Sequence, residues 1–308
     1  MRKFISYAFV AGMMLVSSIV TAQDYAFRVL ANKGENQIKK AGSAQAETLK
    51  TGAKLNSGDE IIASEGAYIG LMHKTGKTTE IRGAGTKKVS DIEKNISTGS
   101  SSIASRYAQF VMNKMNEEEG GSYRSRMNAT GAVSRATGSA AINVMAPGQA
   151  DLLGSTAILR WSAPEGMEEG DLYVVKIENI FNEEIFSKET DKTSIELDFS
   201  DEALAYDMGL YLVKIQKKGD EEISSGEIGI KKVKSGDKVE VQEGLANLKS
   251  EVSEDSPLNK IIYASFYEEN GLILDALTKY EEAIKMSPDI EDFQELYEGF
   301  LIKNGLAE

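Results

Sequence analysis

The chain has 308 residues, a net charge of −13 and 41% apolar residues, which is enough for two or three domains with hydrophobic cores. It contains no cysteine, which excludes disulfide bonds and thiolate zinc sites. Its one histidine, His73, leaves little for nucleophilic or metal chemistry, and we expect it to be exposed or locally hydrogen-bonded. We therefore expect no catalytic residues, no metal and no cofactor.

Charge is unevenly spread along the chain. Residues 23–150 carry 17 basic and 12 acidic side chains, whereas residues 236–308 carry 6 basic and 17 acidic ones. This asymmetry indicates either different partners for the two ends or attraction between them. A solvated acidic helix surface is the simplest explanation of the second region.

Residues 1–22 have the pattern of a secretory signal peptide. Arg2 and Lys3 precede an apolar run over residues 4–20, and small residues end it at Ala22. We expect cleavage after Ala22 and export to the periplasm or cell surface. An uncleaved anchor is the alternative, although the run barely reaches the ~20 residues of a membrane span. No later run is as long, so we expect no transmembrane segment in the mature chain.

Residues 23–98 predict a small all-β domain, because short apolar runs alternate with polar positions and glycines. A first strand is expected at residues 27–30, and the runs 67–72 and 77–81 are expected to pair as a hairpin.

A spaced pattern, Leu-x-x-Gly-x-x-Leu-x-x-Gly-Asp-x-Ile, stands out within this domain. It is filled by Leu49, Gly52, Leu55, Gly58, Asp59 and Ile61. The pattern resembles the FecR-like module, an exported β-domain. The resemblance implies a module for sensing, scaffolding or binding, not for catalysis. In the best-known members this module is joined through a membrane helix to an anti-sigma segment, and we find neither pattern in the sequence.

Residues 99–146 are predicted to form a helix and a linker. Apolar side chains recur with helical spacing along one stripe that packs against a domain: Ile103, Tyr107, Phe110, Val111 and Met115. The polar residues 117–128 indicate a mobile linker. One or two short strands are expected between residues 131 and 144.

Residues 147–233 predict a β-sandwich, because six short alternating runs are separated by turn residues. The runs are residues 157–161, 172–180, 184–187, 193–197, 209–216 and 226–230. The Trp161 strand and the alternating runs that contain Tyr173 and Tyr211 resemble a fibronectin type III-like sandwich. Trp161 is expected in the core, with a sugar-binding face as the alternative.

Residues 234–256 are predicted to be a linker, with a weak helix over 239–248 as the alternative. Ser256 and Pro257 then form a helix start. The small, aromatic and proline positions that follow resemble a tetratricopeptide repeat: Ala264, Tyr267, Gly271, Ala276, Tyr280, Ala283 and Pro288. A further amphipathic helix is expected at residues 293–301.

The resemblance covers one repeat and a capping helix within residues 257–308. A single repeat cannot bury its own faces, so we expect it to dock on the sandwich, on a second copy or on a partner. The candidate partner-binding residues are Lys260, Tyr263 and Tyr267, and packing against the next helix is the alternative for them.

The sequence thus predicts a mainly β protein with an α-helical C-terminus, made of a small FecR-like β-domain, a β-sandwich and a helical hairpin. The favoured function is an exported, non-catalytic binding or scaffolding protein that acts through protein–protein or envelope-polymer contacts. We expect a protein partner, with an anionic envelope polymer as a further candidate for the mildly basic β-region. Nucleic acid is not expected, because the basic excess is small and has no aromatic interleaving.

Two other functions stay open. The chain is alternatively a signalling component that relays an envelope signal to a membrane or anti-sigma partner. A surface carbohydrate-active protein is the third hypothesis, since acidic residues are plentiful enough for a carboxylate pair.

Overall fold

A computed structural model of the chain describes residues 25–96, 102–118, 142–204 and 209–306. The predicted signal peptide, residues 119–128 of the predicted linker and most of the segment 131–144, where short strands are expected, lie outside the described residues. The described part contains 16 strands and six α-helices, and four of these helices follow the last strand. The predicted mainly β fold with a helical C-terminus is therefore confirmed at this level. In the part of the chain described, none of the helices combines the length and the apolar character needed to cross a membrane.

Residues 25–96 form the first β module, which consists of two four-stranded antiparallel sheets. Their orders are β4-β1-β6-β7 and β3-β2-β5-β8. The strands are β1 (Phe27–Lys33), β2 (Gln37–Lys39), β3 (Ala46–Thr48), β4 (Lys54–Leu55), β5 (Glu60–Ala63), β6 (Tyr68–His73), β7 (Thr78–Arg82) and β8 (Gly85–Lys88). The predicted hairpin is confirmed, since β6 pairs with β7 in a continuous register. A short helix, α1 (Val89–Lys94), follows β8.

The Gly-Asp of the spaced pattern closes a turn. Asp59 is 1% exposed, and its carboxylate accepts hydrogen bonds from the backbone N–H groups of Asn56 (2.9 Å) and Ala41 (3.0 Å). Lys40 contacts the same carboxylate. An aspartate at this position therefore joins the turn before β5 to the loop after β2, because a buried carboxylate is stable only when it is fully hydrogen-bonded.

Strand β6 is buried on both of its faces. Its inner face, with Ile69 and Leu71, belongs to the core of the first β module. Its outer face, with Tyr68 and Met72, belongs to a second and larger core that continues into the helices. A strand that is buried on both sides reads as an unbroken apolar run, which explains the sequence of β6.

The sandwich (residues 142–232) has one two-stranded sheet, β10-β13, and one larger sheet ordered β12-β11-β14-β16-β9, with β15 paired to β14. Its strands are β9 (Gln149–Leu152), β10 (Thr156–Arg160), β11 (Tyr173–Glu178), β12 (Glu184–Thr190), β13 (Ser194–Asp198), β14 (Leu210–Lys217), β15 (Asp220–Ser224) and β16 (Ile228–Lys232). β9 and β16, the first and last strands, pair in parallel. A 3₁₀ turn, Glu202–Leu204, precedes β14.

Trp161, Tyr173 and Tyr211 are buried in the core of the sandwich. Trp161 is 2% exposed and packs edge-to-face on Tyr173, with ring centroids 5.3 Å apart. The sugar-binding alternative for Trp161 is therefore wrong, because a buried ring cannot stack on a sugar. The Tyr211 hydroxyl donates to the Leu204 carbonyl at 2.9 Å, in the manner of the tyrosine corner of Greek-key sandwiches.

The helices are α2 (Ser102–Glu118), α3 (Val239–Glu251), α4 (Pro257–Glu269), α5 (Ile273–Met286) and α6 (Glu291–Lys303). Of the two predictions for residues 239–248, a linker or a weak helix, the structure shows the helix, which extends over Val239–Glu251. This segment is helical, and its Leu248 is fully buried in the larger core, so tertiary packing stabilises a weak helix former. The predicted start of α4 is confirmed, since the Ser256 hydroxyl accepts from the Asn259 N–H at 3.2 Å.

Helices α4, α5 and α6, called the helical unit below, contact both β regions. α5 packs against β9 and β10 of the sandwich, while α6 packs against β1 and α4 against β7. α2 packs on α4, where Tyr107 meets Phe266 edge-to-face at 5.2 Å. Of the three docking surfaces expected for the helices of residues 257–308, the structure shows the sandwich, and the first β module covers a further face.

Candidate functional site

Two of the three predicted contact residues lie inside the core. Tyr263 is fully buried and Tyr267 is 2% exposed, and the Tyr263 hydroxyl donates to the Val252 carbonyl at 2.6 Å. Burial raises the pKa of both phenols. The prediction that these two tyrosines contact a partner is therefore wrong, because helices and the β6–β7 hairpin cover α4 on several sides.

Lys260, the third predicted contact residue, belongs to an ion network. Its ammonium lies 3.1 Å from Glu254 and 2.5 Å from Glu282, and Lys279 bridges the same two carboxylates. Burial opposes its charge, but the carboxylates of Glu282 and Glu254 raise the pKa of Lys260 overall. With its side chain only 14% exposed, Lys260 joins α4 to α5 and to the segment before α4.

The junction with the sandwich is made by a row of polar side chains on α5. Asp275, Thr278 and Glu281 are spaced three residues apart and so lie on one face of the helix. The Asp275 carboxylate accepts from the N–H groups of Leu153 (2.9 Å) and Gly154 (2.6 Å). These contacts satisfy backbone groups in the loop between β9 and β10, where no strand pairs with them.

The other two members of the row contact β10 itself. The Thr278 hydroxyl accepts from the Ile158 N–H at 3.0 Å. Glu281 receives two hydrogen bonds of 2.6 Å from the Arg160 guanidinium and one from the Tyr297 hydroxyl. α5 therefore closes the free edge of β10, which would otherwise expose unpaired backbone groups.

Burial perturbs the charges at this junction. It raises the pKa of Asp275 to about 6, against partial compensation by the Leu153 and Gly154 N–H groups. It also lowers the pKa of Lys232, which donates to the Gly154 carbonyl. Asp275 and Lys232 thus hold the same loop from opposite sides, as part of the interface between the sandwich and the helices.

The junction with the first β module combines aromatic packing with hydrogen bonds. Tyr68 of β6 meets Phe293 of α6 edge-to-face at 5.9 Å. The Asp292 carboxylate accepts from the Asn32 N–H at 2.9 Å, and burial raises the pKa of that carboxyl. An exposed ion pair between Lys33 and Asp289 lies at the rim.

Charge attraction also fastens α2 to the helical unit. Lys114 contacts Glu268 at 2.5 Å in a buried pair, and Arg106 contacts Glu269 at 2.8 Å. Glu268 is shared, since Lys303 of α6 lies 3.0 Å from its other oxygen. The uneven charge along the sequence therefore corresponds in part to attraction between the basic first half and the acidic helices.

A cavity of about 550 Å³, called the sandwich groove below, lies where the larger sheet meets the turn between α4 and α5. Its apolar lining includes Ile180, Leu210, Leu212 and Ile273, and Lys231 and Asp151 stand at its rim. Gly229 forms part of the floor, in a row of outward-facing positions that alternate with buried ones along β16. The groove is therefore an apolar hollow on the outer face of the sandwich.

An aromatic side chain stands beside this groove. Phe181 is 66% exposed and follows Ile180, which is 42% exposed, in the turn between β11 and β12. Residues 181–183 fall between two of the predicted strands, and the prediction included no groove there. The available signal was an aromatic residue in a turn, where small and polar residues are usual.

A second cavity of about 600 Å³ lies between β7, β8 and α1. Both strands are edges of their sheets. Lys87 and Lys88 line the opening together with Thr79 and Ile92. Glu80 and Asp91 also line this edge groove, so its charge is mixed, and lysines on edge strands also prevent unwanted strand pairing.

His73 lies at the end of β6, beside the hairpin turn. Its Nδ1 is 2.8 Å from the Thr75 hydroxyl, and its ring packs edge-to-face on Phe27. The histidine is therefore locally hydrogen-bonded. Within the described ranges, no three histidine, cysteine, aspartate or glutamate side chains converge in a way that could hold a metal ion.

No protein-family model matches the chain, and no curated protein matches it in sequence.

Proposed function

We propose that this chain is an exported, non-catalytic binding or scaffolding protein. It combines a FecR-like module, a fibronectin type III-like sandwich and a tetratricopeptide-like helical unit, and it acts through protein–protein contacts in the periplasm or at the cell surface. The signal-peptide pattern of residues 1–22 supports export.

Local features support each of the three resemblances. The spaced pattern of the first module is built around the buried Asp59 carboxylate. The Tyr211–Leu204 hydrogen bond and the two sheets of residues 142–204 and 209–232 suit a fibronectin type III-like sandwich. Ala264, Ala276 and Ala283 are fully buried between α4 and α5, as close packing of a repeat requires.

The observation that carries the proposal is the sandwich groove. The faces of the helical unit that a repeat protein would offer to a partner are occupied by the sandwich and the first β module. What stays open at their boundary is an apolar hollow flanked by Ile180 and Phe181, two of the four large apolar side chains exposed in the described residues. Exposed apolar surface beside a concave site is typical of protein-binding surfaces.

The test is affinity capture from an envelope extract with the immobilised chain. Removal of residues 257–308 is a poor control, because it would uncover the buried faces of both β regions. Gly229→Leu is sharper: a Cβ there meets Gln149 at 3.6 Å, an ordinary contact, while the longer side chain fills the groove. Met286→Ser, at another exposed apolar residue, is the matched control.

We expect the wild type and M286S to retain the same partners and G229L to lose them several-fold, with circular dichroism confirming that all three are folded. Equal retention by G229L would contradict a role for the groove. Export is tested separately by mass spectrometry of the protein isolated from cells, which we expect to begin at Gln23.

A further inference from the structure

The turn between β11 and β12 holds Phe181 in a fixed position. Asn179 is 3% exposed, and its side-chain oxygen accepts from the N–H groups of Phe181 (2.9 Å) and Glu183 (3.1 Å). Its amide nitrogen donates to the Glu183 carboxylate at 2.8 Å. The backbone at Phe181 is thus preorganised, so the turn that carries this aromatic projection loses little conformational freedom when a partner buries it.

The projection adjoins the sandwich groove along the chain, since Ile180, the residue before Phe181 in the same turn, lines the groove. A contact with two-fold symmetry brings one surface patch against an identical patch. Such a contact requires a projection and a matching hollow side by side on one surface, and this arrangement is present here.

Charges around the two features are complementary. Glu184 is exposed beside the projection, and Lys231 is exposed at the rim of the groove. Among the residues that the structure describes, no ion pair involves either of them, whereas Asp151 at the same rim is paired with Lys238 at 3.2 Å. When two copies face each other, Glu184 of each copy can meet Lys231 of the other.

We propose that two copies of this chain associate through this surface, with Phe181 of each copy seated in the sandwich groove of the other. Leu210, Leu212 and Ile273 contact the inserted ring, and the two Glu184–Lys231 pairs set the register. This inference names the occupant of the groove and rests on the proposed binding function.

The first test is the mass of the purified chain by size-exclusion chromatography with light scattering, over a series of concentrations. We expect twice the chain mass at high concentration and dissociation on dilution. Phe181→Ser should raise the dissociation constant of the dimer on the order of 30-fold, as expected for an aromatic residue at the centre of an interface. Met286→Ser should leave it unchanged.

The second test exchanges the charges. Lys231→Glu and Glu184→Lys should each weaken self-association, because like charges then meet at both pairs. An equimolar mixture of K231E and E184K should form a mixed dimer, because each pair again joins opposite charges. Native mass spectrometry distinguishes the mixed dimer from the two parents.

A wild-type chain that stays monomeric at every concentration overturns the proposal. A dimer whose dissociation constant is unchanged in F181S and in the charge variants also overturns it, because the two copies then meet at another surface. If the chain is monomeric but G229L still loses captured partners, the groove binds another protein and the proposed function stands. If G229L changes neither self-association nor capture, the proposed function fails as well.

Discussion

The helical unit meets the sandwich and the first β module through chemically different surfaces. Toward the sandwich, α5 presents Asp275, Thr278 and Glu281, which hydrogen-bond to backbone N–H groups and to Arg160. Toward the first module, α6 presents Phe293, which packs on β6, and Asp292, which accepts from the Asn32 N–H. Backbone hydrogen bonds fix the position of α5 along β10, whereas apolar packing chiefly supplies stabilisation. Hydrogen bonds from backbone N–H groups thus occur at both junctions, and the junction with the first β module adds a fully buried aromatic ring.

The aromatic junction should be the more sensitive to truncation. Phe293→Ala removes a fully buried ring and leaves a cavity against Tyr68, so we expect the free energy of unfolding to fall by about 3–5 kcal/mol. Urea unfolding followed by circular dichroism measures the change. Phe293→Leu keeps most of the volume and should lose much less. A loss below about 1 kcal/mol for F293A would show that the packing of Phe293 on Tyr68 contributes little to the stability of this junction.

The polar junction should respond to pH through Asp275. Burial raises the pKa of this carboxyl to about 6 in the folded chain, above its usual 3.8, so the folded state holds the proton more tightly than the unfolded state. Its contribution to stability is fully present below pH ~4 and is lost as the pH rises through about 6. The two units of difference correspond to about 3 kcal/mol.

Asp275→Asn is the reference for this experiment, because asparagine does not titrate. We expect the free energy of unfolding of the wild type, relative to D275N, to decrease between pH 4 and pH 7. The pKa of Asp292 is also raised by burial, but this carboxyl titrates in both proteins and cancels from the difference. A difference that does not vary with pH would mean that Asp275 is not buried at a closed junction.

A single backbone contact should matter less. Thr278→Val preserves shape but leaves the buried Ile158 N–H without its acceptor, at a cost of about 2 kcal/mol. Thr278→Ser keeps the hydroxyl and loses only a methyl group, so it should be the milder change in the same urea assay. If the serine and valine variants are equally destabilised, packing rather than the hydrogen bond from Ile158 holds α5 on β10.

The smallest effect is expected at the rim of the aromatic junction. Asp289→Asn breaks the ion pair with Lys33, but both groups are solvated, so the midpoint of urea unfolding should not move. A clear shift in the midpoint would indicate that the ion pair as well as packing stabilises the junction with the first β module.

Much of the fold could be predicted from local pattern. The alternation in β11 and β14 places every second residue in the core, and Ser256 followed by Pro257 begins α4 as expected. Strands β9 and β15 were missed for a physical reason. Their residues do not alternate in polarity, and each forms because a neighbouring strand offers an edge.

The predicted contact residues show what the spacing of residues along a single helix cannot predict. Helical spacing identifies which side chains share a face, but it does not tell a face exposed to solvent from one covered by another domain. The sequence from Ile261 to Tyr267 is apolar or small on all sides, and all seven residues are buried. A helix that carries apolar or small residues on all sides is buried, whereas an apolar stripe along one side alone does not indicate this. The candidate site could not be predicted, because its groove joins residues that are distant in the sequence.

The parallel pairing of β9 with β16 determines how the molecule would respond to tension. The two strands run side by side in the same direction with four residue pairs in register. The chain enters β9 and leaves β16 at opposite ends of the pair, so a pull through residues 148 and 233 is directed along both strands. All the hydrogen bonds between them must then shear together instead of opening one by one. A chain tethered on one side of the sandwich and bound on the other would therefore withstand force at this pair of strands, where the rate of forced unfolding is set.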